Sequence, residues 1–255
     1  MVQVTVLASG SLGNAAVISS GRTRILLDAG PSCRRLTELF AEAGLEPEEI
    51  DAVVVSHEHA DHVGGLRTFL KRFPRPLYVS DLSAGCLKLH EASERLVRTI
   101  EPSEALEIGN ISVTPFPVPH DAKQTFGFVF RAEGVKIGYA TDLGVSSQEV
   151  VRRLHGSNCL LVEFNHDLDM LHNGSYPQQL KIRIAGKLGH LSNSQGASLI
   201  SKAMTGETAA LFLMHLSQEN NTPSHAKLAA VEFVSDNGLF LEVAGQFSPA
   251  RPWIG

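Results

Sequence analysis

A chain of 255 residues, 43% of them hydrophobic, is long enough to bury a large core without the disulfide or metal staples that small domains need. Its 22 Lys and Arg against 27 Asp and Glu leave a net charge of −5, which excludes a global basic field for nucleic acid. Cys33, Cys86 and Cys159 are odd in number and scattered. That argues against a disulfide framework and fits a reducing compartment.

Short runs over 2–8, 14–19 and 24–28 read as strands. Between the first two, Ser9-Gly-Ser-Leu-Gly-Asn14 can turn backbone N–H groups towards an anion. Ser9, Ser11 and Asn14 are therefore candidate phosphate contacts, although a plain hairpin turn is the commoner meaning of such a loop. A helix is expected over 33–43, with Pro31 near its start and Gly44 as its stop. The β-branched run Asp51-Ala-Val-Val-Val55 predicts a buried strand, and Ser56-His-Glu-His-Ala-Asp-His62 follows it directly. His57 and His59 alternate, so both can reach one metal, while Asp61 and His62 on the following turn can reach a second. Imidazole and carboxylate without thiolate suit zinc, manganese or iron.

Further along, helices are expected over 63–73, 146–154, 178–187, 194–204 and 224–236, with strands between 106 and 139 and on to 243. Three metal-type residues fall at the C-terminal ends of apolar strands: His120 after 111–118, Asp142 after 135–139, and His215 after 209–214. Singly, each has an ordinary reading as a surface histidine or a turn aspartate. Their repetition points to one shared site. Lys181, Arg183 and Lys187 alternate with apolar residues, and Arg183 is a candidate partner for a phosphate. His90, His155, His172 and His225 read as surface or structural residues. The tail over 249–255, with Trp253, is placed to cover a sheet edge or contact a partner.

His57-Glu-His-Ala-Asp-His62 followed by His120, Asp142 and His215 resembles the metallo-β-lactamase superfamily, in particular its phosphodiesterase branch. The similarity extends to the bacterial YycJ/WalJ-like group. It is carried by Ala8-Ser-Gly-Ser-Leu-Gly-Asn14, Thr141-Asp-Leu-Gly144 and Glu163-Phe-Asn-His-Asp167, then by Tyr176-Pro-Gln-Gln-Leu-Lys-Ile-Arg183, Gly189-His-Leu-Ser-Asn193 and His215-Leu-Ser-Gln-Glu-Asn-Asn221. This resemblance implies an α/β fold, an αββα sandwich of two mixed β-sheets flanked by helices, in a single domain over 1–255. Element order alone is compatible with other α/β architectures. By the same resemblance His57, His59 and His120 hold one metal, Asp61, His62 and His215 hold a second, and Asp142 bridges them.

Two divalent ions roughly 4 Å apart can clamp a phosphodiester and make hydroxide available near neutral pH. Asp61 would orient the attacking water or accept its proton. His190, in Gly189-His-Leu-Ser192, is the candidate general acid, resembling a histidine of tRNA 3′-processing enzymes; His166 competes for that role, with Glu163 as its orienting partner. The family resemblance implies a 5′-to-3′ exodeoxyribonuclease linked to DNA repair. Its cofactors would be two divalent ions, Mn2+ preferred and Zn2+ possible, and its partner a DNA 5′ end, with no obligate protein partner. The alternatives are an RNA-processing nuclease of the tRNA 3′-processing type and a glyoxalase-type thioester hydrolase. Without a membrane-length apolar stretch or a basic leader, the expected location is cytoplasmic, with no membrane partner.

Overall fold

The computed structural model describes residues 1–234 and 238–255. Strands β1 (Val2–Ala8), β2 (Ala15–Ser20), β3 (Thr23–Leu27), β4 (Ala52–Val54), β5 (Leu77–Val79) and β6 (Val97–Thr99) lie side by side in one sheet. Strands β7 (Leu106–Ile108), β8 (Ile111–Pro117), β9 (Phe126–Ala132), β10 (Val135–Ala140), β11 (Cys159–Glu163), β12 (Ala210–Met214) and β13 (Phe240–Val243) form the other. A last strand, β14 (Trp253–Ile254), pairs antiparallel with β1 and brings the first sheet to seven strands. The tail thus covers a sheet edge.

Both sheets are built alike. Each begins as an antiparallel meander, β1 to β3 and β7 to β10, and continues as parallel strands, β3 to β6 and β10 to β13. Side chains alternate across each sheet. Ala210, Phe212 and Met214 of β12 enter the core between the sheets, while Leu211 and Leu213 pack against outer helices. A strand covered on both faces has no polar side, which is why 209–214 reads as an unbroken apolar run. The inter-sheet core also takes Val4, Ile18, Phe128, Phe130 and Trp253. Helices Cys33–Glu42 and Leu66–Arg72 cover the first sheet through Leu36, Leu39, Phe40 and Phe69; Gln148–Leu154 and Asn193–Ala203 cover the second. The expected αββα sandwich is the observed fold.

Several elements differ from expectation for local reasons. The helix expected over 63–73 forms as two pieces, Ala60–Val63 and Leu66–Arg72. Gly65 lies between them where a Cβ would meet the Pro31 carbonyl oxygen at 2.0 Å. Asp61 and His62, expected on a turn, sit on the short helix Ala60–Val63. The helix over 194–204 starts at Asn193, because Ser192 and Gln195 form a capping box. The one expected over 178–187 ends at Ile184. The last begins at Pro223 under a Thr222 cap and ends at Val231, with 232–234 in turn and bend where helix was expected; 235 and 236 of that expectation lie outside the described residues. Cys33, Cys86 and Cys159 are free thiols. No helix among the described residues is long and apolar enough to cross a membrane.

Candidate metal centre

The metal-type residues meet in a cleft at the C-terminal ends of strands from both sheets, the usual place for a site in α/β architecture. His57, His59 and His120 offer ligand atoms that all lie within 4.8 Å of one another, and Asp61, His62, Asp142 and His215 do the same. The first sheet supplies its share on the single loop after β4. Gly30 allows that loop to fold in, since a Cβ there would meet the Asp61 carbonyl oxygen at 1.7 Å. The second sheet supplies His120, Asp142 and His215 from beyond the ends of β8, β10 and β12. Asp142 and His215 adopt left-handed backbone, φ 57° and 58°, as does Asp28 at 61° beyond the end of β3. Non-glycine residues rarely do so, and the conformation turns each side chain back into the cleft.

Second partners fix the imidazoles. Nδ1 of His57 meets Ser56 Oγ at 3.1 Å, and Nδ1 of His62 meets Asp28 Oδ2 at 2.8 Å. In His120 Nδ1 donates to the Leu188 and Gly189 carbonyls, and in His215 it meets Glu163 Oε1 at 2.9 Å. Each ring is left with Nε2 for the cleft, as in metal-binding histidines oriented by an outer partner. The site contains donors that protein alone does not satisfy. Nε2 of His57 and Oδ2 of Asp142 are buried without a hydrogen-bond partner among the described residues. His62 Nε2 lies 3.1 Å from that Asp142 oxygen, but not in hydrogen-bonding geometry. Orphaned buried donors of nitrogen and oxygen type fit divalent cations.

The charge pattern agrees. Burial and the neighbouring His62 push His57 well below the ordinary imidazole range, so it stands neutral as a ligand must. Burial works against charge on His62 and His215, yet Asp142 and the carboxylates around it win. They hold His62 far above the ordinary range and His215 up at about 10. Burial would likewise raise Asp61, but His62 and His215 hold it well below the usual carboxylate range. A field that retains protons on buried imidazoles also attracts cations.

Sequence reading overlooked Asp28 and gave Glu163 a different partner. Asp28 accepts hydrogen bonds from Ser56 N and Oγ as well as holding His62. Its one sequence signal is an acid ending an apolar strand. Glu163 is fully buried, yet its neighbours His190 and His215 depress it to about 2 against the effect of burial. It accepts from Asp142 N, Leu143 N, Leu191 N, His190 Nδ1 and His215 Nδ1, at 2.9–3.2 Å. Those five donors occupy both carboxylate oxygens, so Glu163 orients its neighbours, although with Asp142, His190 and His215 it also forms a third group of ligand-type atoms within 4.8 Å of one another.

Of the candidate catalytic residues, Asp61 and His190 line the cleft, whose volume is about 220 Å3. The Glu163 contact through Nδ1 leaves the far nitrogen of His190 for the cleft. His166 does not reach it. That ring is 1% exposed, has no hydrogen-bond partner among the described residues, and is pushed by burial down to about 4. The phosphate candidates divide similarly. Ser9 is fully buried, donating to Asn14 Oδ1 and accepting from His215 N. Asn14, 2% exposed, donates to Asp61 Oδ2 and lies 3.1 Å from His62 Nε2. These two brace the ligands and are closed to substrate, a correction to the cradle reading. Ser11 and Arg183 do line the cleft, with Asn165, Tyr176 and Ser217, which composition did not single out. Arg183 Nε donates to Asp121 Oδ2 at 2.6 Å.

Such His and Asp clusters at the mouth of an αββα sandwich define a metallohydrolase fold, and the chain belongs to the beta-lactamase superfamily domain family, whose model matches residues 23–216. Among its relatives is exodeoxyribonuclease YycJ of Bacillus anthracis, 31% identical, with the alignment covering 97% of this chain and 95% of that protein. Exodeoxyribonuclease WalJ of Streptococcus pneumoniae serotype 2 is 32% identical, over 92% of this chain and 89% of that one. The crystal structure of the metallo-beta-lactamase fold protein YhfI from Bacillus subtilis superposes with a TM-score of 0.76 at 18% identity, covering 100% and 99% of the two chains, and so shares the fold.

Proposed function

We propose that the protein is a two-metal exodeoxyribonuclease that removes nucleotides from DNA 5′ ends, with a role in DNA repair. The observation that carries this reading is the pair of neighbouring ligand groups, His57-His59-His120 and Asp61-His62-Asp142-His215, with Asp142 Oδ1 3.9 Å from His120 Nε2, in a chain with near full-length relatives named exodeoxyribonucleases. His57, His59 and His120 would hold one ion, Asp61, His62 and His215 the other, and Asp142 both. Bound there, divalent ions supply an activated water and neutralise charge on the phosphate, with Mn2+ the preferred ion and Zn2+ the second choice.

The remaining chemistry falls to side chains of this chain. Asp61, anionic and braced by Asn14, accepts or directs the proton of the attacking water. Water oxygen bonds to phosphorus, the bond to the 3′ oxygen breaks, and His190, aligned by Glu163, delivers a proton to that leaving oxygen. Arg183 supports the reading as a cation on the cleft wall of an otherwise acidic protein.

The test is a manganese-supplemented digest of linear duplex DNA labelled separately at each end, beside a closed circular control. Consumption from the 5′ end with intact circles is the expected result. Loss of label from the 3′ end first, or cutting of circles, would overturn the polarity. Inertness towards all DNA by protein with metal bound would overturn the DNA reading and direct attention to RNA, then to thioesters.

A further inference from the structure

Beside the cleft lies a second cavity of about 200 Å3, and the two share Tyr176, Arg183, Ile184 and His190 as walls. Their lining differs in kind. The cleft is walled chiefly by metal-type residues, whereas the annex adds Leu180, Gly189 and the carboxylate of Asp121 to the shared Tyr176 and Ile184 side chains. Leu180 and Ile184 belong to the helix Gln178–Ile184, which buries none of its residues. Tyr176, Leu180 and Ile184 are all half-buried, leaving an aromatic and aliphatic surface open beside a strongly charged centre. Arg183 stands at the boundary. Its Nε is held by Asp121, and its terminal amino groups have no hydrogen-bond partner among the described residues. Asp121 Oδ1 in turn lies 3.5 Å from His120 Nε2, which ties the position of Arg183 to the metal ligands.

An annex with one aromatic and aliphatic wall, joined to a phosphate-cleaving cleft through a guanidinium that Asp121 anchors, matches the parts of one nucleotide. We infer that the annex is the subsite for the 5′-terminal nucleotide, with its base against Tyr176, Leu180 and Ile184 and its 5′ phosphate on Arg183. This rests on the exonuclease reading and deepens it. His190 lines both spaces, and it is the group that protonates the leaving 3′ oxygen. The nucleotide carrying that oxygen must therefore lie on the annex side, and in 5′-to-3′ removal it is the terminal one. Stacking on an aromatic ring is tolerant of sequence, as nonspecific degradation requires. The subsite also demands that the terminal base be unpaired, so the reacting end is bound as a single strand even when the rest is duplex.

The experiment compares three 5′-phosphorylated oligonucleotides: one unmodified, one abasic at the first nucleotide and one abasic at the second. Each is measured for KM and kcat with the wild-type metalloenzyme, Tyr176→Ala and Tyr176→Phe. With wild type, the first-position abasic strand should show a KM raised about tenfold or more, and the second-position strand a KM near normal. Tyr176→Ala should raise KM for the unmodified strand by a similar factor and leave the first-position abasic strand unaffected. Tyr176→Phe should behave as wild type, which separates stacking from a folding defect. Equal losses for Tyr176→Ala on all three strands, or equal wild-type KM values, would overturn the subsite while leaving the exonuclease reading intact. A wild-type protein that consumes linear duplex DNA from its 5′ end yet cuts none of the three strands overturns the subsite alone, and one inert towards duplex and strands alike overturns the exonuclease reading with it.

Discussion

Two buried carboxylates, one from each sheet, organise this centre in different ways. Asp28, beyond β3, holds a single metal-type histidine, His62, and is steadied by Ser56 and Tyr139. Glu163, closing β11, aligns the ligand His215 and the cleft histidine His190 while gathering the backbone of Asp142, Leu143 and Leu191. The difference follows from how each sheet delivers its donors. On the first sheet four donors come on one short segment, already close in sequence, and separate neighbours brace them one by one: Ser56 on His57, Asp28 on His62 and Asn14 on Asp61. On the second, ligands arrive from separate strands, and a common acceptor must hold their loops in register. The scattered donors share a keystone; the clustered ones are braced individually.

The widest separation between roles should appear when the ligands themselves are removed. Asp142→Ala and His59→Ala should reduce hydrolysis to background while the circular dichroism spectrum and thermal transition stay close to wild type. Retained nuclease activity in a purified, metal-free variant would break the metal-dependent mechanism. Next come the two carboxylates. Glu163→Ala should destabilise the fold by about 3–5 kcal/mol in urea titrations, because it strips a buried anion from protonated and backbone partners. Asp28→Asn should leave the fold nearer to wild type and lower metal affinity about 10–100-fold, read by competition with a chelator. Equal effects of the two changes would erase the contrast between the sheets. His190→Ala should lower kcat by about 100-fold or more with metal content unchanged; parallel loss of metal would make it a ligand.

The smallest effect concerns His166, which burial depresses to about 4 in the folded protein against about 6.5 when unfolded. The unfolded chain therefore takes up a proton first as pH falls. Stability from this residue is fully present above pH 6.5 and is lost progressively towards pH 4. Urea midpoints measured at pH 7 and pH 5 should differ less in His166→Gln than in wild type.

The parts of the centre legible in sequence are those whose signal is local. His57 to His62 declare themselves by spacing, and His120, Asp142 and His215 by their position after apolar strands. The sandwich itself needed the family resemblance, since strand order does not state which strands share a sheet. The supports were hidden because their partners are remote in the chain. Asp28 is 34 positions from His62, and Ser9 is 206 from His215. His166 shows the opposite failure: it lies in a motif-like stretch, yet the parallel bridge to Ser192 closes it inside. Ser9 and Asn14 look like an anion loop by composition, but their polar atoms turn inward to brace Asp61 and His215.

Asp28, Asp142 and His215 share the left-handed backbone, a conformation that costs of order 1–3 kcal/mol at each such residue and persists only where the surroundings dictate it. The centre is in that respect a rigid chelator rather than a flexible one. The bent backbone fixes these side chains, so any rearrangement of the site requires the frame to give way. Ion exchange should accordingly be slow relative to turnover, and the match between cavity and ionic radius, rather than the softness of the donors, should govern which dication stays.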